Sequence, residues 1–332
     1  MLTDNIFNNS EVVVNDLKAI YDFNNTFITF KSINNILYLI YANNKNSIIS
    51  YDLIENKRIN EIKNSNEMNI ISFRHIADKI NKRDLILSMS GDDNNIKVWN
   101  INNFELLISI ENINKQGYLY SSCFLYDNNQ NYIITSCYNI YDQGDLVKVF
   151  NLKGILIKKF NNSSGTTIFI ESYFNNRLSK NYIIANNKGY IKSFDYNKNE
   201  LYNIYFDENN KFYRSIIINE RNEEEKIQLI ASSEDGHIKI WDFHSAEILK
   251  KIKISDDSLY DICLWKNDYL FVGCFDNIIK IVDLKKEIII KELIGHNHRV
   301  ITIKTIFHPQ KGDCILTQAF IENSIKLWFN KT

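Results

Sequence analysis

The stretch Ser90-Gly91-Asp92-Asp93-Asn94-Asn95-Ile96-Lys97-Val98-Trp99-Asn100 decides the fold. A polar turn opens it, apolar and polar residues then alternate, and a tryptophan followed by a polar residue closes it. Such alternation behind a turn is the pattern of a half-buried strand. It recurs at Ser232-Ser233-Glu234-Asp235-Gly236-His237-Ile238-Lys239-Ile240-Trp241-Asp242 and at Ile321-Glu322-Asn323-Ser324-Ile325-Lys326-Leu327-Trp328. Fainter copies end on Tyr51-Asp52, Phe150-Asn151, Phe194-Asp195 and Val282-Asp283. The repeat anchors are therefore Tyr51, Trp99, Phe150, Phe194, Trp241, Val282 and Trp328, spaced by 48, 51, 44, 47, 41 and 46 residues. A period of about 40–45 residues, lengthened by loops, is that of one four-stranded blade.

One repeat shows the strands plainly. They are expected at Glu247–Ile252, Leu259–Trp265, Tyr269–Cys274 and Ile278–Val282, divided by polar turns. A sheet so short and apolar on both faces cannot bury itself, and stacking copies in a ring buries both faces. The quoted segments resemble the WD-repeat signature, in which a strand closes on a Trp-Asp pair after an Asp-containing turn. The resemblance covers essentially the whole chain. It implies an all-β, seven-bladed β-propeller of four-stranded antiparallel blades, a single domain over residues 1–332. The last repeat stops at Trp328 without an outer strand, and Glu11-Val12-Val13-Val14 precedes the first complete repeat near Thr26. The resemblance therefore implies a ring closed by an N-terminal strand in the last blade, which removes exposed edges.

Composition agrees with a β architecture and narrows the partners. Twenty Phe, 19 Tyr and 4 Trp among 45% hydrophobic residues suit a pleated, half-buried surface. Doubled asparagines such as Asn43-Asn44, Asn94-Asn95 and Asn186-Asn187 fall where turns are needed, and Asn tolerates tight turn conformations. Thirty-nine basic against 40 acidic residues leave a net charge of −1, so no nucleic-acid partner is expected. Cys123, Cys137, Cys263, Cys274 and Cys314 form no CxxC spacing and lie in strand-like runs. They read as reduced core residues of a cytoplasmic or nuclear protein. No signal-peptide pattern and no apolar run near 18 residues is seen, so no membrane partner is expected. The sequons at Asn8, Asn24, Asn162 and Asn330 read as by-products of asparagine abundance.

The resemblance further implies a buried network joining the Trp, a Ser or Thr, a loop His and a turn acid six residues before the anchor. Asp93, Asp235, Asp276 and Glu322 hold the acid position, whereas Lys45 and Lys188 occupy it in blades 1 and 4. Those two blades are therefore expected to be looser. The loop His appears once, as His296. Buried carboxylates of this kind are retained because their hydrogen bonds are satisfied and fix a turn. No catalytic, cofactor-binding or metal residue is expected. His296-Asn297-His298 meets no further ligand at a recognisable spacing, and no phosphate-binding, nucleophile-elbow, zincin or dinucleotide motif occurs. The acidic run Glu220–Glu225 reads as a solvated loop, and no obligate small molecule is implied.

In WD-repeat propellers the commonest binding surface is the narrow face formed by loops before the inner strands. The matching positions here are Asn69, Tyr118, Phe212, Ser258 and Arg299, with Thr167 for blade 4 and Thr26 or Phe27 for blade 1. Aromatic residues and arginine dominate interface energies, although Tyr118 and Phe212 also suit a packing role at the channel mouth. Tyr138 and Tyr141, in the turn of residues 138–145, are a second candidate contact. The expected function is a non-catalytic scaffold or adaptor that binds a protein or peptide. A second reading is a structural subunit of a large assembly that uses rim and blade edges. An enzyme on a propeller frame has no motif behind it. A lipid-binding propeller of the autophagy type would carry an Arg-Arg pair, and the chain has no adjacent arginines.

Overall fold

Alternation and turn chemistry together give 28 strands and no helix among the described residues of a computed structural model. It describes residues 6–17, 26–63, 69–91, 94–111, 113, 117–139, 145–162, 167, 169–187, 189–209, 211–220 and 227–330. Strand β1 (Asn9–Val14) precedes blade 1, which is β2 (Phe27–Lys31), β3 (Leu37–Ala42), β4 (Ile48–Asp52) and β5 (Lys57–Ile62). Blade 2 is β6 (Ile70–Asp78), β7 (Arg83–Ser90), β8 (Asn95–Asn100) and β9 (Glu105–Ile110). Blade 3 is β10 (Gly117–Asp127), β11 (Gln130–Asn139), β12 (Asp145–Asn151) and β13 (Leu156–Asn162). Blade 4 is β14 (Ile170–Asn175), β15 (Lys180–Asn187), β16 (Tyr190–Asp195) and β17 (Glu200–Phe206). Blade 5 is β18 (Tyr213–Asn219), β19 (Gln228–Ser233), β20 (His237–Asp242) and β21 (Ile248–Lys253). Blade 6 is β22 (Leu259–Trp265), β23 (Tyr269–Cys274), β24 (Ile279–Asp283) and β25 (Ile288–Leu293). Blade 7 is β26 (Val300–His308), β27 (Gly312–Ala319) and β28 (Ile325–Phe329), completed by β1.

Seven four-stranded antiparallel sheets make this an all-β seven-bladed propeller. Two compact units are distinguished. Residues 1–65, 214–243 and 247–332 carry blades 1, 5, 6 and 7, and residues 66–213 with 244–246 carry blades 2, 3 and 4.

In the first unit the expected closing strand is present. It pairs antiparallel with β28 from Asn9↔Phe329 to Val12↔Lys326, with a bulge before Val14↔Ile325. Just ahead of it, Phe7 is buried with edge-on contacts to Trp265 at 5.4 Å and Phe271 at 5.2 Å. Its amide donates to Asn330 Oδ1. Buried apolar clusters join blade 7 to blade 1, blade 5 to blade 6 and blade 6 to blade 7. In the second unit one such cluster joins blades 3 and 4.

Asparagine makes the turns. Of the 17 non-glycine residues with positive φ among the described residues, nine are Asn, the residue type that best tolerates the left-handed region after glycine. In blades 1, 2, 3, 4 and 6 the polar residue after the anchor then caps the following turn. Asp52 Oδ1 accepts from the amides of Ile54 and Glu55 at 2.8 and 3.1 Å, and Asp195 and Asp283 repeat the arrangement. Six anchors are buried, and Tyr51 is half-buried. Cys123, Cys274 and Cys314 are buried free thiols. Burial raises all three thiol pKa values, that of Cys274 to about 12. Among the described residues no helix is long and apolar enough to cross a membrane.

Candidate functional site

The turn acids hold the loops that present the site. In blade 7 the Trp328 indole N–H donates to Thr317 Oγ1 at 2.8 Å, and His296 Nε2 lies 2.8 Å from the same oxygen. His296 Nδ1 is 2.7 Å from Glu322 Oε2, and the Asn297 amide donates to Glu322 Oε1 at 2.5 Å. A carboxylate can only accept, so Nδ1 carries the proton and Nε2 accepts from the Thr317 hydroxyl. Burial lowers the His296 pKa, against the pull of Glu322. Burial would raise Glu322, but its bonds from His296 and the Asn297 amide outweigh that and hold it at about 2.

Each described turn acid also meets the lysine four residues on. The pairs are Asp235–Lys239 at 2.9 Å, Asp276–Lys280 at 2.9 Å and Glu322–Lys326 at 3.6 Å. Lys239 and Lys280 are buried, and a buried ammonium is tolerated only with such a partner. Lys280 Nζ donates to the Ile254 carbonyl at 3.2 Å, and Lys326 Nζ donates to that of Gly295. These contacts fasten the loops that run into β22 and β26. In blade 2, Trp99 donates to Ser88 Oγ at 2.9 Å, and Asp93 lies outside the described residues. The lysine was legible as a residue type, since six repeats carry Lys two positions before the anchor, but its pairing with the acid was not anticipated.

The fastened loops end at Ser258 and Arg299, each immediately before an inner strand as expected. The Phe275 amide donates to the Ser258 carbonyl at 3.0 Å, and the Phe320 amide donates to the Arg299 carbonyl at 2.9 Å. Each inner strand therefore starts beside the first residue after the second strand. Arg299 sits among three rings: its guanidinium carbon is 3.8 Å from the Phe320 centroid, 5.6 Å from Tyr260 and 5.8 Å from Phe275. Arg214 lies 5.2 Å from the Tyr260 centroid and pairs with Glu234 at 2.5 Å. Phe275 is 46% exposed, and Ile321, which follows Phe320 in the chain, is 56% exposed. Ile321 has φ +65°, a left-handed conformation that is strained for a β-branched residue.

The other expected positions distribute differently. Asn69 and Phe212 are half-buried and directly precede β6 and β18, in the second unit. Tyr118 lies inside β10, opposite Tyr138 in β11, because this hairpin keeps pairing up to Gly117↔Asn139. Tyr138 is therefore a strand residue rather than part of a loop, and Tyr141 lies outside the described residues. Thr167 is fully buried, its carbonyl accepting from Ser136 Oγ at 3.3 Å, so it presents no surface. Of the predicted face, the structure joins Ser258 and Arg299 through Phe275. Sequence reading missed Arg214 and Tyr260, the latter two residues past Ser258.

Comparison with known proteins bears on the family. The WD40 family, described as "WD domain, G-beta repeat", matches residues 189–242. That match falls on blades 4 and 5 and ends on the Trp241-Asp242 pair, within seven blades of the same build. This chain is a WD-repeat propeller. WD-repeat propellers are generally interaction scaffolds that bind proteins or peptides rather than enzymes. The chain is also similar to the U3 small nucleolar RNA-associated protein 21 homolog of Schizosaccharomyces pombe, 29% identical over 100 residues. That region is 30% of this WD-repeat propeller and 11% of the yeast protein, so the chain spans only a small part of that relative's length.

Proposed function

We propose that this WD-repeat propeller is a non-catalytic adaptor that holds a protein or peptide partner on the loop end of blades 5 to 7. The observation that carries the reading is Arg299 set among Phe320, Tyr260 and Phe275, with Phe275 exposed and Ile321, the residue after Phe320, exposed as well. Arginine and large aromatics are the side chains whose loss costs most at interfaces, roughly 1–4 kcal/mol each. Here the loops beneath them are fastened before any partner arrives, so little order remains to be gained on binding. The strained Ile321 fits the same reading, because strain persists where surrounding structure holds a side chain in place.

The test is affinity purification with mass spectrometry from native extract, with melting temperatures as the control for folding. The wild type is compared with Phe275→Ala/Arg299→Ala and, separately, with Tyr118→Ala/Phe212→Ala. The first double variant is expected to lose a discrete partner set. Retention of every partner in that variant contradicts the reading.

A second reading, a structural subunit of a larger assembly, has its own observation. Leu106, Leu156, Leu201, Ile248 and Ile289 sit opposite the anchors on the outer strands of blades 2 to 6 and are all exposed. A repeated apolar row on edge strands suits lateral contact. Partners that survive in both double variants and co-purify as one large particle favour this second reading.

A further inference from the structure

A second site stands at the other end of β26 and does not depend on the adaptor reading. Arg299 precedes that strand and Phe307 lies near its end, roughly 26 Å away at about 3.3 Å per residue. There blades 7 and 1, both in the first unit, border a groove of about 530 Å³, within the size range of small-molecule sites. Phe30, Leu37 and Ile54 form the blade 1 wall, and Ile306, Phe307 and Pro309 form the blade 7 wall. Leu37 belongs to the buried cluster that joins the two blades, and Ile54 and Ile306 pack against that cluster. Phe307, by contrast, is 68% exposed.

The groove is formed before any ligand arrives. His308 is buried, and its Nε2 lies 3.2 Å from the Leu53 carbonyl of blade 1. A carbonyl only accepts, so Nε2 carries the proton, and Nδ1 accepts from the Gln310 amide at 3.2 Å. One ring thus ties blade 7 to blade 1 and holds the turn that carries Pro309. In the blade 1 turn the Ser32 amide donates to the Ile36 carbonyl at 2.8 Å and the Asn35 amide to the Ser32 carbonyl at 2.9 Å. The Ile36 amide donates to Ser32 Oγ at 3.0 Å. With these amides engaged, the turns offer little to the N–H and C=O groups that a bound peptide would bring. An aliphatic ligand brings none.

Lys31 is the one charged residue in the lining. It is exposed, and its ammonium has no ion pair or hydrogen bond among the described residues. Glu55, next to Ile54 in the chain, pairs with Lys57 at 3.9 Å and does not line the groove. Thr29 and Asn35 belong to the same lining and carry neutral donors. A phosphate monoester carries about −1.5 to −2 charges, more than one ammonium balances, whereas a carboxylate matches it. We infer that the groove between blades 7 and 1 binds a small amphiphile, with one carboxylate at Lys31 and an aliphatic body against Phe307, Ile306 and Ile54.

The probe is octanoate, titrated calorimetrically into the full chain beside octan-1-ol, octylamine and octyl phosphate. Octanoate is expected to saturate a single site and to bind tightest of the four. Lys31→Gln should weaken octanoate about fivefold, the upper range for an exposed ion pair, and leave octan-1-ol unchanged. Phe307→Ala should weaken both ligands about tenfold, since it removes apolar surface and no charge. Both positions are exposed, and melting temperatures check that the variants fold. The wild-type ranking of octanoate over octylamine needs neither variant. Octylamine that binds as tightly as octanoate overturns the charge assignment, and tighter octyl phosphate overturns the carboxylate. Binding that ignores Phe307→Ala, or no saturable binding, overturns the site. Sedimentation of the ligand-free chain as a dimer that Phe307→Ala dissociates would place a second copy in the groove and also overturn the inference. The adaptor reading stands or falls separately from all of these outcomes.

Discussion

In blade 7 the turn between the second and third strands is held by Glu322, and in blade 1 the corresponding turn is held by Asn43. Glu322 reaches His296, the Asn297 amide and Lys326. Asn43 Oδ1 instead accepts from the amides of Lys45 and Ser47, each at 3.0 Å. Blade 1 has lost the acid and its lysine together: Lys45 stands at the acid position and Ile49 two residues before the anchor. Nearby, the Tyr41 hydroxyl donates to Asp16 Oδ1 at 3.0 Å, and Arg58 pairs with the same carboxylate. The comparison teaches that the repeat requires a turn whose buried polar groups are satisfied, not a particular set of residues. Lys45 alone predicts a looser blade, because the asparagine that supplies those hydrogen bonds lies two positions earlier.

The largest expected effect breaks the comparison from the chain end. Deleting residues 1–15 removes the fourth strand of blade 7, whereas blade 1 keeps all four of its own. It also removes Phe7, a buried aromatic of the kind whose truncation alone costs about 3–5 kcal/mol. The melting temperature should fall sharply, and an unchanged value would contradict the topology.

Glu322→Ala should cost about 2–3 kcal/mol in chemical denaturation, because it strands His296 and the Asn297 amide. The same group gives blade 7 a pH dependence. Its folded pKa, about 2, lies below its ordinary 4.5. Its contribution is therefore complete above about 4.5 and lost as the pH falls toward 2. His296 adds in the same direction, since its pKa is lowered from 6.5 and acid must charge a buried ring. The Glu322→Gln variant should flatten the acid limb of the stability profile between pH 4.5 and 2. An unaltered limb would mean that other groups set it.

Asn43→Ala should cost about 1–2 kcal/mol, since two amides lose one acceptor. Lys45→Ala should stay within about 0.5 kcal/mol of wild type. If those two effects were reversed, the reading of the blade 1 turn would be wrong.

Sequence legibility followed the strength of the repeat. In blade 6 the inner strand Leu259–Trp265 and the strand Tyr269–Cys274 match the expectation, while the third strand of blade 6 and the outer strand of blade 5 each shift by one residue. Anchor spacing and the N-terminal apolar run foretold seven blades and the strand that completes the last one. The loops were less legible. Tyr118 and Tyr138 stay paired because their hairpin is longer than its neighbours, a length that no residue type announces. Thr167 fell at a buried position because blade 4 has no clear signal before its inner strand. At the site, Ser258 and Arg299 were visible from register, but the rings around Arg299 come from two blades and three separate segments. Sequence gives the period along one strand. It does not give which side chains face each other across blades.

The most direct test of the central claim, that the loop end of blades 5 to 7 meets the partner, is site-specific photocrosslinking. A photoreactive phenylalanine analogue is placed at position 275, and in a second protein at position 307, which is 68% exposed near the far end of β26. Irradiation in native extract followed by mass spectrometry is expected to yield a discrete partner from position 275 and none from position 307. Crosslinks from position 307 with none from position 275 would contradict the account.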